Sequence, residues 1–334
     1  MKRLFIISGV TGMTGSELAR AAIAAGDTVV GFDNFFASSI ETVSGLLGCP
    51  VFKFFQYDLN DPAQMEKIKR LVLQWKDAAD QVIYINCAAV VHTEYFYHVE
   101  DTFQTNVLGM RSFLAQAVEV GAASFINCST SEVYSMESYR SGGVREDDYI
   151  HLATAEHSQR TSYAAGKLLT EFFLQDAVAR GQIKGCSIRF ANVYSNHERY
   201  AKHIIPHIVS SLLQNGEVTL LNNAKTTRRT FLHNIDSCSA VLALAQTDSA
   251  LDGSVYNVAT QEEVTILKLV DMIARKLQID KPVIRFSGER TADPVRRVLS
   301  TQKLQSRTGW EPKVCLEDGL DMVVDAYKSR SVAQ

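Results

Sequence analysis

The chain carries no Cys-x-x-Cys pair, and its six cysteines (Cys49, Cys87, Cys128, Cys186, Cys238 and Cys315) are widely spaced. That spacing excludes a zinc ribbon or a dithiol redox motif, and it predicts reduced, buried thiols in a cytoplasmic protein. His203 and His207 stand four apart, but no acidic or cysteine residue is spaced to complete a zinc site, so no metal is expected. Neither sign of charge dominates: 34 basic residues face 37 acidic ones, for a net charge of −3. This balance argues against a nucleic acid or an anionic membrane surface as the main partner. No apolar run approaches the ~18 residues of a membrane span. The run after Lys2-Arg3 is too short for a signal peptide and ends in a glycine turn without a cleavage site. No repeat, linker or low-complexity tract interrupts the sequence.

What remains is a chain of 334 residues, 46% of them hydrophobic, with ample material for a core. At roughly 150 residues per domain, the length predicts two lobes or one large α/β domain. Short β-branched runs (Leu4–Ser8, Thr28–Asp33, Val51–Gln56, Val82–Asn86, Ser124–Ser129, Gly185–Phe190) alternate with helical patterns at Gly15–Ala25, Pro62–Trp75, Asp101–Val120 and Tyr163–Ala179. Alternation of this kind predicts an α/β fold: a doubly wound parallel sheet of Rossmann type, with a smaller C-terminal α/β lobe. Residues 1–190 are expected to form the dinucleotide-binding domain, to which the chain returns around 225–260. Residues 191–224 and 261–334 are expected to form the substrate-binding lobe. Asn192–Lys202 reads as turn-like, and Ser135–Arg160 as a long polar loop of the kind that carries function.

Gly9-Val-Thr-Gly12-Met-Thr-Gly15 lies between a strand and a helix. Glycines there allow a tight turn and let backbone amides approach a pyrophosphate at the positive end of the helix. Asp33 ends the next strand, where a carboxylate accepts hydrogen bonds from ribose hydroxyls and repels a 2′-phosphate. No arginine follows it in Asp33-Asn34-Phe-Phe, which favours NAD over NADP.

Tyr163 and Lys167 stand four apart on a predicted helix and therefore share a face. A free phenol, with a pKa of ~10, is a poor base at neutral pH. A neighbouring ammonium favours the phenolate, which can then remove a hydroxyl proton while the carbon loses hydride.

These residues, with Asp58, Asn86-Cys-Ala-Ala89, Asn106, Thr130-Ser-Glu-Val-Tyr134, Arg189-Phe-Ala-Asn192, Arg229 with Asp236, and Gly309-Trp-Glu-Pro312, occur in a telling order. The chain resembles the extended short-chain dehydrogenase/reductase family, in particular its nucleotide-sugar epimerases, dehydratases and decarboxylases. The resemblance implies tightly held NAD, a nucleoside diphosphate sugar (a UDP-sugar favoured) in the C-terminal lobe, and a homodimer built on helices 101–120 and 163–179. It implies a cofactor site of Gly9, Gly12, Met13, Thr14, Gly15, Asp33, Asn34, Asp58, Leu59, Ala88, Ala89, Asn106, Tyr163 and Lys167. Within that site Asp58 would meet the adenine amine and Asn106 would position Lys167. Thr130, Ser131 and Glu132 would join Tyr163 and Lys167 in catalysis, with Thr130 on the sugar hydroxyl. Asn192, Arg229, Arg290 and Arg297 would bind the substrate, since arginine's fork fits phosphate oxygens.

Oxidation at C4 of a sugar opens three routes: loss of carbon dioxide from a C6 carboxylate, loss of water across C5 and C6, or reduction from the other face. Thr130-Ser-Glu-Val-Tyr134, Asp33-Asn-Phe-Phe, Gly166 and Arg297 resemble UDP-glucuronate decarboxylases, so decarboxylation ranks ahead of 4,6-dehydration and 4-epimerisation. Ser135, Tyr194-Ser-Asn and Val298-Leu299 depart from the family pattern around the substrate. A net NAD(P)H-dependent carbonyl reductase and a non-enzymatic dinucleotide sensor are the competing classes. The second is disfavoured because both Tyr163 and Lys167 are kept.

Overall fold

The computed structural model describes residues 2–134, 143–159, 161–198, 200–289 and 294–332. Strands that are apolar on both faces must be covered on both faces; of the first six all but the third, an edge strand with Lys53 and Gln56 exposed, are buried nearly throughout. The six are β1 (Arg3–Ser8), β2 (Thr28–Asp33), β3 (Phe52–Gln56), β4 (Gln81–Asn86), β5 (Ser124–Thr130) and β6 (Lys184–Phe190). Between them run α1 (Met13–Ala24), α2 (Pro62–Trp75), α3 (Val99–Phe103), α4 (Met110–Glu119) and α5 (Thr161–Ala179). Asp61 caps α2 by accepting from the amides of Ala63 and Gln64, with Pro62 pre-set in the first turn.

The later chain supplies β7 (Asn192–Tyr194), α6 (Ile204–Asn215), β8 (Glu217–Leu220), β9 (Arg228–His233), α7 (Asn234–Gln246) and β10 (Asp252–Val258). It ends with β11 (Glu263–Thr265), α8 (Ile266–Lys276), β12 (Val283–Phe286), β13 (Arg296–Arg297), α9 (Gln302–Thr308) and α10 (Leu316–Val332). The main sheet has seven parallel strands in the order β10-β6-β5-β4-β1-β2-β3. Strand order therefore reverses beside β1, and the crevice at the carboxyl ends of β1 and β4 is where such sheets bind ligands. This is the Rossmann-type fold that the alternation predicts.

Separate cores mark the two lobes. One set of buried side chains covers each face of the main sheet. Another joins α6, α8 and α10 with β8 and Phe231. The tail corrects the expected boundary, because Leu304 and Trp310 pack into the main-sheet core instead of the smaller lobe. Asn192–Tyr194 is a strand pairing with β9, not a turn. The expected helix 101–120 is interrupted by a wide π turn over Gln104–Gly109. Cys315 is exposed, unlike the buried thiols expected. No helix among the described residues is long and apolar enough to cross a membrane.

The glycine turn is packed without slack. Gly9 has a φ of +67°, and a Cβ built on Gly15 would stand 2.2 Å from the Gly9 carbonyl oxygen. Backbone cannot yield that distance cheaply. Gly15→Ala is expected to lower stability by about 1–3 kcal/mol in urea unfolding. An unchanged midpoint would mean that the turn has room.

Candidate active site

The carboxyl ends of the main strands and the inner wall of the smaller lobe enclose a cavity of 1510 Å³. A cleft for one drug-sized ligand occupies ~300–1,000 Å³, so this one has room for two large molecules side by side. Gly9, Gly12, Met13, Thr14, Gly15, Asp33, Asn34, Asp58, Leu59, Ala88 and Ala89 line one end. Gly12 caps α1 with no side-chain acceptor, which leaves the amides of the first turn facing an incoming anion. The Asp33 carboxylate accepts from the amides of Thr11 (3.2 Å) and Phe35 (2.9 Å) and from Ser38 Oγ (3.2 Å). These bonds hold it at the cavity rim. Asp58 accepts from the amide of Asn60 (2.7 Å) and from Asn34 Nδ2 (3.0 Å), joining two strand ends.

Tyr163 and Lys167 share the cavity face of α5. The Tyr163 ring stacks on Phe96 at 4.2 Å with 9° between planes, and Ser162 Oγ donates to the Phe96 carbonyl at 2.9 Å. Phe96, buried in the cavity wall, is a residue that sequence reasoning passed over; its one signal was the aromatic run Tyr95-Phe96-Tyr97. Lys167 is 2% exposed and its Nζ donates to the Cys128 carbonyl at 2.8 Å. Burial holds its pKa below the ordinary lysine value.

Asn106 lies in the π turn and is turned inward. Its Oδ1 accepts from the Val90 amide at 2.7 Å and its Nδ2 donates to the Val90 carbonyl at 3.1 Å. These two bonds tie Asn106 to the loop after β4, whose Val90 lines the cavity.

Thr130, at the end of β5, opens a tight turn by accepting from the Glu132 amide at 3.1 Å. Thr130 and Glu132 both line the cavity. Ser131 does not; it is buried behind them, so the expected catalytic role has no geometric basis. In the smaller lobe β9 pairs with both β7 and β13, and the register sets Arg297 opposite Arg229. Asn192, Arg229 and Arg297 thereby reach the cavity from one small sheet. Arg290 lies outside the described residues.

Arg297 Nη1 donates to Glu132 Oε1 at 2.7 Å, closing a pair across the two lobes. Arg297 is 5% exposed, and its Nε and Nη2 are buried without partners among the described residues. Unsatisfied guanidinium donors at a cavity wall are costly unless a ligand meets them.

The opposite wall was not foreseen at all. His92 stacks on Tyr200 at 3.7 Å, and Tyr200 Oη donates to Glu94 at 3.0 Å. Glu94 also pairs with Lys202, and Glu198 with His203. Burial, then the nearby His203, holds the His92 pKa below its ordinary value.

Residues 5–259 match the NAD dependent epimerase/dehydratase family. The chain belongs to that family. Among individual relatives, UDP-glucuronic acid decarboxylase 1 of Arabidopsis thaliana is 27% identical, over 98% of this chain and 71% of its own. The family's fold recurs in UDP-glucose 4-epimerase of Thermotoga maritima, solved with UDP-glucose. The TM-score is 0.85 at 22% identity, over 98% of this chain and 99% of that one. It recurs again in UDP-glucuronic acid 4-epimerase of Bacillus cereus, solved with UDP-glucuronic acid and NAD. There the TM-score is 0.84 at 22% identity, over 99% of this chain and 100% of that one.

Proposed function

We propose that this family member oxidises C4 of a nucleoside diphosphate sugar transiently and that its reaction is decarboxylation of UDP-glucuronate type. The observation that carries the reading is the Glu132–Arg297 pair in the wall of the cavity that Tyr163 and Thr130 also line, with two Arg297 donors free among the described residues. A guanidinium with unspent N–H groups is a receptor for a carboxylate. Such a receptor favours a sugar acid over a neutral sugar as the substrate. The curated relative in Arabidopsis, named for the same reaction, supports this reading.

The residues at the dinucleotide end fit NAD. The tight turn of Gly9, Gly12 and Gly15 sets the amides of the first turn of α1 where a pyrophosphate would bind, and Asp33 would take the ribose hydroxyls. When bound, NAD supplies the ring that takes the C4 hydride and later returns it. Tyr163 takes the C4 hydroxyl proton, and Thr130 orients that hydroxyl. Lys167, fixed on the Cys128 carbonyl, favours the phenolate by its charge. Arg297 and Arg229 hold the acidic groups of the substrate. Glu132 is ionised while paired with Arg297, so it takes up a proton from solvent and passes it to C5 once carbon dioxide leaves from C6; Tyr163 returns its own proton to the C4 oxygen. The balance is one proton consumed and one carbon dioxide released.

Dehydration and epimerisation are the alternative outcomes of the same oxidation. A homodimer is proposed through α3 and α5, where Val99, Phe103, Leu169 and Phe172 are exposed. A cytoplasmic setting fits six free cysteines. Incubation with UDP-glucuronate, UDP-glucose and their thymidine and guanosine counterparts, read by mass spectrometry, tests the assignment. Loss of carbon dioxide from UDP-glucuronate is expected. Loss of water, or an unchanged mass with altered retention, would replace decarboxylation by one of the alternatives.

A further inference from the structure

A buried ion pair beneath the cavity is used by none of the steps above. Arg189 on β6 and Glu171 on α5 are 4% and 5% exposed at their side chains. The guanidinium forks onto the carboxylate, with Nη2 to Oε2 at 2.6 Å and Nε to Oε1 at 3.0 Å. Each partner then reaches one end of the same turn. Glu171 Oε1 also accepts from Ser129 Oγ at 2.6 Å, and Arg189 Nη1 donates to Tyr134 Oη at 2.6 Å. Residues 130–133, which carry Thr130 and Glu132 into the cavity, lie between those two anchors.

The far anchor is the more elaborate. Tyr134 lies under the Arg189 guanidinium at 4.8 Å and donates its own proton to Asn257 Oδ1 at 3.0 Å. Asn257 is tied in turn to the carbonyls of Val144 and Ser300. Burial pushes the Tyr134 phenol up to about 12, so it stays a neutral relay between the guanidinium and the amide. Tyr134 does not line the cavity, and neither does Glu171 or Arg189.

We infer that Glu171 and Arg189 form a clasp that sets the catalytic turn at both ends, with Tyr134 as the positioning residue that fixes Glu132 in particular. The inference rests on the role proposed for Glu132. A fork with two bonds resists rotation, so the two anchors are held at a fixed separation. The near anchor governs Thr130 and the far one governs Glu132. Releasing one end should therefore slow one chemical step and spare the other.

Tyr134→Phe removes only the far hydroxyl and keeps the ring over Arg189. Full-length enzyme carrying its cofactor is mixed, in single turnover, with the nucleotide sugar that the mass panel identifies. The near-ultraviolet signal of reduced nicotinamide is followed through its rise and decay. In Tyr134→Phe the rise should stay within about twofold of the unsubstituted enzyme while the decay slows about 10- to 100-fold, the scale of a misplacement near 1 Å. Glu171→Gln, which loosens both ends, should slow both phases. A role in folding alone would reduce the active fraction and leave the ratio of the two rates unchanged; that result overturns the clasp. Crystal structures of Tyr134→Phe and the unsubstituted enzyme give a readout independent of turnover. Displacement of Glu132 from Arg297 in the variant supports the clasp even if no sugar in the panel reacts, in which case the proposed function is what fails. An unmoved Glu132 refutes the clasp whatever the kinetics.

Discussion

Tyr163→Phe should reduce turnover by about 10³-fold or more while cofactor content stays unchanged, because a positioned acid–base group contributes ~10²–10⁴-fold. The substitution is a clean one in this fold. The ring's stacking on Phe96 at 4.2 Å survives, and the Ser162 bond to the Phe96 carbonyl is untouched. Only the hydroxyl is lost, so a drop in activity reports proton transfer and not a collapsed cavity wall. Thermal unfolding of the variant is expected to match the parent closely. The same dyad shapes the alkaline limb of the pH profile. Burial lowers the Lys167 pKa, so its charge is lost at a pH below the ~10.4 of a free lysine. Activity should fall through that lower value as pH rises. Residual turnover within about tenfold of the parent would remove Tyr163 from the role of base and leave the mechanism without its first step.

The parts of this site that were legible in the sequence are those whose chemistry is local. Gly9, Gly12 and Gly15 announce themselves because a turn's backbone demands are met by its own residues. Tyr163 and Lys167 announce themselves because four residues make one helical turn. The main sheet could be read from apolar runs for the same reason, and the structure agrees strand by strand through β6. What could not be read is what tertiary packing creates. Glu132 and Arg297 are 165 residues apart and meet only because β13 enters parallel to β9 with Arg297 opposite Arg229. A two-residue strand has no periodicity to detect. Asn106 lies in a π turn that points its amide at Val90, and no residue pattern separates a π turn from an ordinary helix. Ser131 sits between two cavity residues, but the direction of its side chain is set by the turn and not by its neighbours in sequence. Proximity along the chain was a good guide to backbone and a poor guide to which side chains face the ligand.

The second large effect is expected at Glu132. Glu132→Gln keeps the length of the side chain and an oxygen that can still accept from Arg297 Nη1, so the pair across the lobes survives as a neutral hydrogen bond. The carboxylate's capacity to carry a proton does not survive. Oxidation at C4 uses Tyr163 and Thr130 and should proceed, so reduced nicotinamide should form at close to the parental rate. Delivery of a proton to C5 should then fall by about 10²–10⁴-fold, leaving the enzyme trapped in the reduced form. Rapid-mixing absorbance together with product mass distinguishes this outcome from its rivals. If the reduced form never appears, Glu132 acts in the oxidation itself and its assignment here is wrong. If product forms at the parental rate, the carboxylate serves only as counter-charge to Arg297, and the proton must come from elsewhere. Arg297 should behave differently, because its unpartnered Nε and Nη2 point to binding. Shortening it to lysine would be felt first in KM, while Glu132→Gln is felt in kcat. A pair that splits this way, one member holding the substrate and the other moving a proton, is what a bond between a buried guanidinium and a half-open carboxylate is built to do.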